Sequence, residues 1–185
     1  VPRPRVWAGG AAAPRPGALR GLFAGGTLCR EALTLAEAEI GTRATNLRDA
    51  DLDPATPGHV LLDLGADEMT RGRPHPMIDQ LLRLRRLEAD AADPATSVLL
   101  LDVVLGHGAH PDPAAELAPA IGEARRSRLA DGGDLGVVVS IIGTDDDPQG
   151  LTRQAEALAS VGADVFCSNA EAVRHAVSLA LGGQR

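Results

Sequence analysis

From residue 19 onward the chain alternates short apolar runs with longer stretches whose apolar residues recur at helical spacing. That alternation is the signature of βαβ units and a mainly parallel sheet. Strands are predicted over residues 19–24, 59–64, 97–105, 135–142 and 164–167, each followed by a Gly, Asn or Asp-rich turn. The helices between them are predicted over 27–40, 76–89, 113–129, 149–161 and 169–181. Asp112-Pro113 and Asp147-Pro148 each set an N-cap carboxylate before a proline at the first helical position. Five parallel strands with right-handed crossovers make a doubly wound, flavodoxin-like sheet over residues 19–185, in which ligands bind outside the carboxyl ends of the strands. Residues 41–58 read as an irregular excursion. Residues 1–18, rich in Pro, Arg, Gly and Ala and without periodicity, read as a linker.

Composition narrows the chemistry. The 185 residues include one Trp, two Phe and no Tyr, so the core must be aliphatic and no aromatic base-stacking platform is available. A net charge of −7 argues against nucleic acid as a partner. All 18 basic residues are Arg, which removes a phosphate-loop lysine and any Schiff-base nucleophile. Anion binding would then fall to Arg, backbone N–H groups or a helix terminus. No apolar run is long enough to span a membrane, and two cysteines form neither a disulfide framework nor a zinc motif, which points to the cytoplasm.

The strand ends carry the candidate site. After the first strand, Gly25, Gly26 and Thr27 open a helix and form a plausible anion nest, a pattern that also serves tight strand-to-helix packing. Cys29 follows in the first helical turn, where a buried packing role is the better reading than a nucleophile. After the second strand come Asp67, Glu68, Arg71, Arg73 and His75 between glycine and proline breakers, a polar loop hard to justify by packing. After the third, Gly106 and Gly108 frame His107, with His110 just before the Asp112 cap. His107 and His110 are the catalytic candidates, as phosphoryl acceptor, acid, base or hydrogen-bond donor; a neutral ring bonded to backbone is the alternative. No acidic or Cys ligand stands at metal spacing from them, so no metal is expected there. Thr144 and Asp145 follow the fourth strand, where Asp145 and Asp146 suit an Asx-turn as well as a cation. Asn169, after the fifth, reads first as an N-cap.

Taken in order, RGLFAGGTLCREA, HVLLDLGADEMTRGRPHPMID, LLLDVVLGHGAHPDPA, SIIGTDDDPQ and VFCSNAEAVRHA resemble the carboxyl-terminal ligase-type domain of the FdrA family, relatives of succinyl-CoA synthetase. The likeness covers about residues 19–177. It implies a succinyl-CoA synthetase-like ligase domain preceded, in a longer chain or a separate subunit, by a CoA-binding part of Rossmann type. In succinyl-CoA synthetases a histidine is transiently phosphorylated while helix N-termini hold the phosphate. Residues 106–113 sit where such a helix begins, and His107 loosely resembles the phosphohistidine neighbourhood.

The resemblance also implies an oligomeric assembly acting on a small molecule, with no cofactor bound by this domain alone and CoA and nucleotide handled by the assembly. Some members of the family are associated with purine and allantoin catabolism and with an oxamate carbamoyltransferase assembly, which would use carbamoyl phosphate instead. Three functions follow as expectations: acyl-CoA synthesis, with Arg71 and Arg73 neutralising phosphate or carboxylate; carbamoyl transfer on the same cradle; or an assembly module without chemistry of its own.

Overall fold

A computed structural model describes residues 5–10, 16–41, 44–49 and 52–183. Six strands make one sheet: β1 (Val6–Trp7), β2 (Ala18–Phe23), β3 (Val60–Asp63), β4 (Thr96–Val104), β5 (Gly136–Ile142) and β6 (Asp164–Phe166). Their order is β1-β6-β5-β4-β2-β3, parallel from β6 to β3, with β1 antiparallel on the β6 edge. The chain reverses its direction of winding at β2, which lies between β3 and β4. The crevice at the carboxyl ends of β2 and β4 is therefore the topological switch point.

The helices are α1 (Gly26–Ile40), α2 (Asp67–Thr70), α3 (Leu81–Ala92), α4 (Pro113–Ala130), α5 (Leu151–Ser160) and α6 (Asn169–Ala180). α1 packs beside α6 on one face; α3, α4 and α5 lie side by side on the other. β4 serves both layers, sending Val98 and Leu100 under α1 and α6, and Leu99, Leu101 and Val103 under α3 to α5. Coverage on both faces explains why the central strands read as unbroken apolar runs. Among the described residues no helix is long and apolar enough to cross a membrane.

Four local expectations need correction. The sheet has six strands, not five: the additional one, β1, is two residues long and falls in the stretch read as a linker, too short to leave a periodic signal. Residues 1–4 and 11–15 of that stretch lie outside the described residues. The helix predicted from residue 76 starts at Leu81, because the N–H groups of Ile78 and Asp79 donate to the His75 carbonyl and close a separate turn. Asp147 caps no helix; its Oδ2 accepts from Thr144 N (2.6 Å), and the chain resets at Gly150 before α5 begins. The N-cap of α6 is Ser168, whose hydroxyl accepts from Glu171 N, and Asn169 is the first helical residue.

Part of the irregular excursion docks firmly on the sheet, although residues 42–43 and 50–51 of it lie outside the described residues. Ala44 bridges Val60, and Asn46 pairs with the main chain of Asp63 in both directions: its Nδ2 donates to the carbonyl (2.8 Å), and its Oδ1 accepts from the amide (2.9 Å). The end of β3, an edge strand, thus gains partners on its open side.

Candidate functional site

The junction of β2 with α1 occupies the switch point. Gly25 is the N-cap of α1 and has no side chain to cap the helix, and no acidic residue stands in the first turn. The N–H of Gly25 is already used, donating to Asp102 Oδ2 (3.0 Å), while Ala24 N donates to Oδ1 of the same carboxylate (2.7 Å). The N–H groups of Gly26, Thr27 and Leu28 meet no acceptor among the described residues outside the helix itself. Three unsatisfied donors and the positive end of a fifteen-residue helix thus converge at the carboxyl edge of the sheet.

A Cβ at Gly26 would lie 2.7 Å from Asp63 Oδ2, so a side chain there would have to displace that carboxylate. Gly65 is confined more tightly, because the His75 ring and the Ala24 carbonyl occupy the place its side chain would take. His75 thus lays the β3–α3 loop against the start of α1, and its Nδ1 accepts from Met77 N (3.2 Å).

Two buried carboxylates lie beneath this junction. Asp102, inside β4, is completely buried and faces the Arg83 guanidinium at 3.3 Å, and Arg83 also bonds the Asp102 carbonyl. Burial pushes the Asp102 carboxyl above the usual range, against the pull of Arg83 and the amides of Ala24 and Gly25. Asp63, ending β3, accepts from Gly65 N (3.0 Å) and is also pushed up, first by burial and then by Asp102, with Gly65 N and His75 opposing. Burial raises the Cys29 thiol too, and Asp63 and Asp102 raise it further, so Cys29 is a packing residue and not a thiolate.

The β4–α4 and β5–α5 loops form a second cluster, finished in a different way. Gln149, buried, clamps the histidine loop: its Oε1 accepts from Gly106 N (3.1 Å), and its Nε2 donates to the carbonyls of Gly106 (2.9 Å) and His110 (3.0 Å). At α4, Ala115 N donates to Asp112 and Ala114 N to Gln154 Oε1 (2.8 Å), while Gln154 Nε2 and Arg153 hold the Asp112 carboxylate. Those bonds pull Asp112 below the usual carboxylate range, Gln154 first and Arg153 second. At α5, Asp145 takes Thr152 N (2.6 Å) and is likewise lowered by it. Both helix starts are closed by the protein's own groups.

The predicted residues therefore divide. Gly25, Gly26 and Thr27 come together with His75 at the open junction. Arg71 and Arg73 stand exposed on the loop leaving β3, the strand beside β2, and Asp67 and Glu68 lie in α2, where Glu68 accepts from Asn46 Nδ2 (3.1 Å). His107, between Gly106 and Gly108, is exposed, and no hydrogen bond to its ring forms among the described residues. His110 has both ring nitrogens engaged, Nδ1 by Asp112 N (3.1 Å) and Nε2 with Glu116 (3.2 Å). Thr144 and Asp145 serve the turn before α5, and Asn169 braces α6 to α1 through the Leu28 carbonyl and Glu31. Among the described residues no group of three or more His, Cys, Asp or Glu is placed to hold a metal ion.

Asp63, Arg83, Asp102 and Gln149 were not legible as site residues. For Asp63 and Asp102 a signal existed: a lone carboxylate closing or interrupting an aliphatic strand, in VLLDL and VLLLDVV. Arg83 and Gln149 carry no comparable mark.

A family model described as CoA-ligase matches residues 22–179. Among curated proteins, the Uncharacterized protein YahF of Escherichia coli (strain K12) is 37% identical over 155 residues, covering 80% of this chain and 30% of that relative. The chain thus spans less than a third of the length of that relative.

Proposed function

The chain belongs to the CoA-ligase family, and from that premise we propose that it is the FdrA-like ligase domain of a succinyl-CoA synthetase-related acyl-CoA synthetase. In this reading the first turn of α1 receives the anion, a phosphoryl group or the acyl carboxylate, on the N–H groups of Gly26, Thr27 and Leu28. Arg71 and Arg73 supply positive charge in place of the absent lysine. His107, on its clamped loop, is the ring available to take a phosphoryl group, and CoA and nucleotide are bound by the rest of the assembly.

The observation that carries the reading is the open N-terminus of α1 at the switch point, with donors preorganised for a negative ligand and no side chain of their own to fill them. Asp63 and Asp102 are compatible with it, since Arg83 offsets one and burial disfavours charge on both.

The test is turnover by the intact assembly, with ATP, CoA and a small dicarboxylate beside carbamoyl phosphate and oxamate. The expected result is CoA-dependent nucleotide consumption that falls about tenfold or more in Gly26→Val and in Arg73→Ala. Carbamoyl transfer without CoA would replace the acyl-CoA reading with a carbamoyltransferase on the same cradle. Full activity of both variants in a normally assembled protein would leave the domain an assembly module.

A further inference from the structure

Asp63 ends β3 with a side chain that is 7% exposed, and only one of its oxygens is used within the fold. Oδ1 accepts from Gly65 N (3.0 Å). Oδ2 accepts no hydrogen bond among the described residues, yet it is not sealed from solvent. It lies against the first turn of α1, 2.7 Å from where a Cβ of Gly26 would stand. The same turn carries the open N–H groups of Gly26, Thr27 and Leu28. A buried carboxylate oxygen thus borders the place where three donors attract an anion, and a bare charge there would repel what they hold.

A proton resolves that conflict. Burial raises the Asp63 carboxyl; the Gly65 amide and His75 of the β3–α3 loop oppose the rise, while Asp102 of β4 and Glu68 of α2 add to it. Arg83 of α3 is engaged by Asp102 (3.3 Å), and Cys29 of α1 stays a neutral thiol. Protonated, Asp63 donates to any oxyanion; ionised, it only accepts, and the ligand must bring the proton. Inorganic phosphate carries a proton throughout the neutral range, whereas sulfate and carboxylates carry none. A site built to bond a ligand hydroxyl rejects the analogue that lacks it, because its own polar group is left unpaired.

We propose that Asp63 makes the head of α1 selective for a proton-bearing phosphate, its Oδ2 sharing one proton with the bound anion. This assignment rests on α1 being the anion site, and of the phosphoryl group and the carboxylate it names the first as the ligand held there.

Backbone amide NMR titrations of the chain with inorganic phosphate and with sulfate, at constant ionic strength from mildly acidic to mildly alkaline pH, test this. Sulfate keeps the same charge over that range. Its affinity at Gly26, Thr27 and Leu28 is expected to fall about tenfold or more as pH rises, leaving phosphate about tenfold or more the tighter ligand at the alkaline end. Asp63→Asn keeps an acceptor for Gly65 N and offers an N–H group to either anion, so its sulfate affinity should be independent of pH and close to that for phosphate. Equal binding of the two anions by the native chain at alkaline pH would overturn the role of Asp63 while leaving α1 an anion site, a result that needs no variant. A sulfate loss undiminished in Asp63→Asn would overturn it as well, moving the proton to another group such as His75. Absence of saturable shifts with either anion would overturn the anion reading of α1, and the selectivity with it.

Discussion

The starts of α1 and α4 are built on one plan, a parallel strand running into a glycine-bearing loop and then a long helix, yet they are finished in opposite ways. At α4 the protein supplies the counter-charge: Asp112 and Gln154 take the first amides and Arg153 holds the cap in place. At α1 the Asp102 carboxylate is drawn down to the strand end, where it satisfies Ala24 and Gly25 and leaves the next three donors open. The difference is one of placement. A carboxylate at the N-cap fills a helix terminus, whereas one buried a residue lower shapes the loop and keeps the terminus for a ligand.

The carboxylates on the two sides also respond to their surroundings in opposite directions. Burial raises Asp63 and Asp102; hydrogen bonds lower Asp112 and Asp145. The first pair is dry and shared with main-chain donors, the second exposed and tied to side chains and amides of α5.

The contrast can be broken most forcefully at Asp102. Asp102→Ala leaves Arg83 buried without its partner and strips the acceptor from two amides, and should cost about 3–5 kcal/mol in denaturant unfolding. A loss under about 1 kcal/mol would mean that the carboxylate does not organise the α1 junction. Gln149→Ala removes three hydrogen bonds from the histidine loop and should cost about 1–3 kcal/mol, with faster hydrogen exchange at Gly106 N as its local mark. Asp112→Ala should cost less, about 1 kcal/mol, as the loss of an N-cap.

pH sharpens the comparison through its sign. The folded pKa of Asp112 is depressed, so its contribution is present above the ordinary carboxylate value and is lost as pH falls through the folded value. The penalty for Asp112→Ala should therefore shrink in acid. Asp63 behaves in reverse: its folded pKa is raised, so its contribution is complete below the ordinary value and is lost as pH rises through the folded one. Asp63→Asn should gain on the native chain as pH rises over that window, measured by unfolding at a series of pH values; a pH-independent difference would contradict the assignment.

The parallel strands and most helices were legible to within about a residue or two, because strands such as β4 and β5 are largely aliphatic runs and the helices carry either an apolar stripe or, at α4, an Asp-Pro start. What escaped depends on partners distant in sequence. β1 is defined only by β6, and the two amides that Asp102 satisfies lie almost eighty residues before it. Asp145 and Asp147 illustrate the same limit at short range: both belong to one Asp run, yet Asp145 reaches Thr152 N in α5 while Asp147 turns back to Thr144 N. The glycine pair at residues 25–26 was visible in the sequence; that its terminus stays open while those of α4 and α5 are closed required the three-dimensional hydrogen bonds.

The most direct measurement is a backbone amide NMR titration of the chain with inorganic phosphate. Saturable shifts confined to Gly26, Thr27 and Leu28, with Ala114, Ala115 and Thr152 unmoved, are the predicted result. Shifts centred on the starts of α4 or α5, or no saturable shift at α1, would contradict an open anion site at the head of α1.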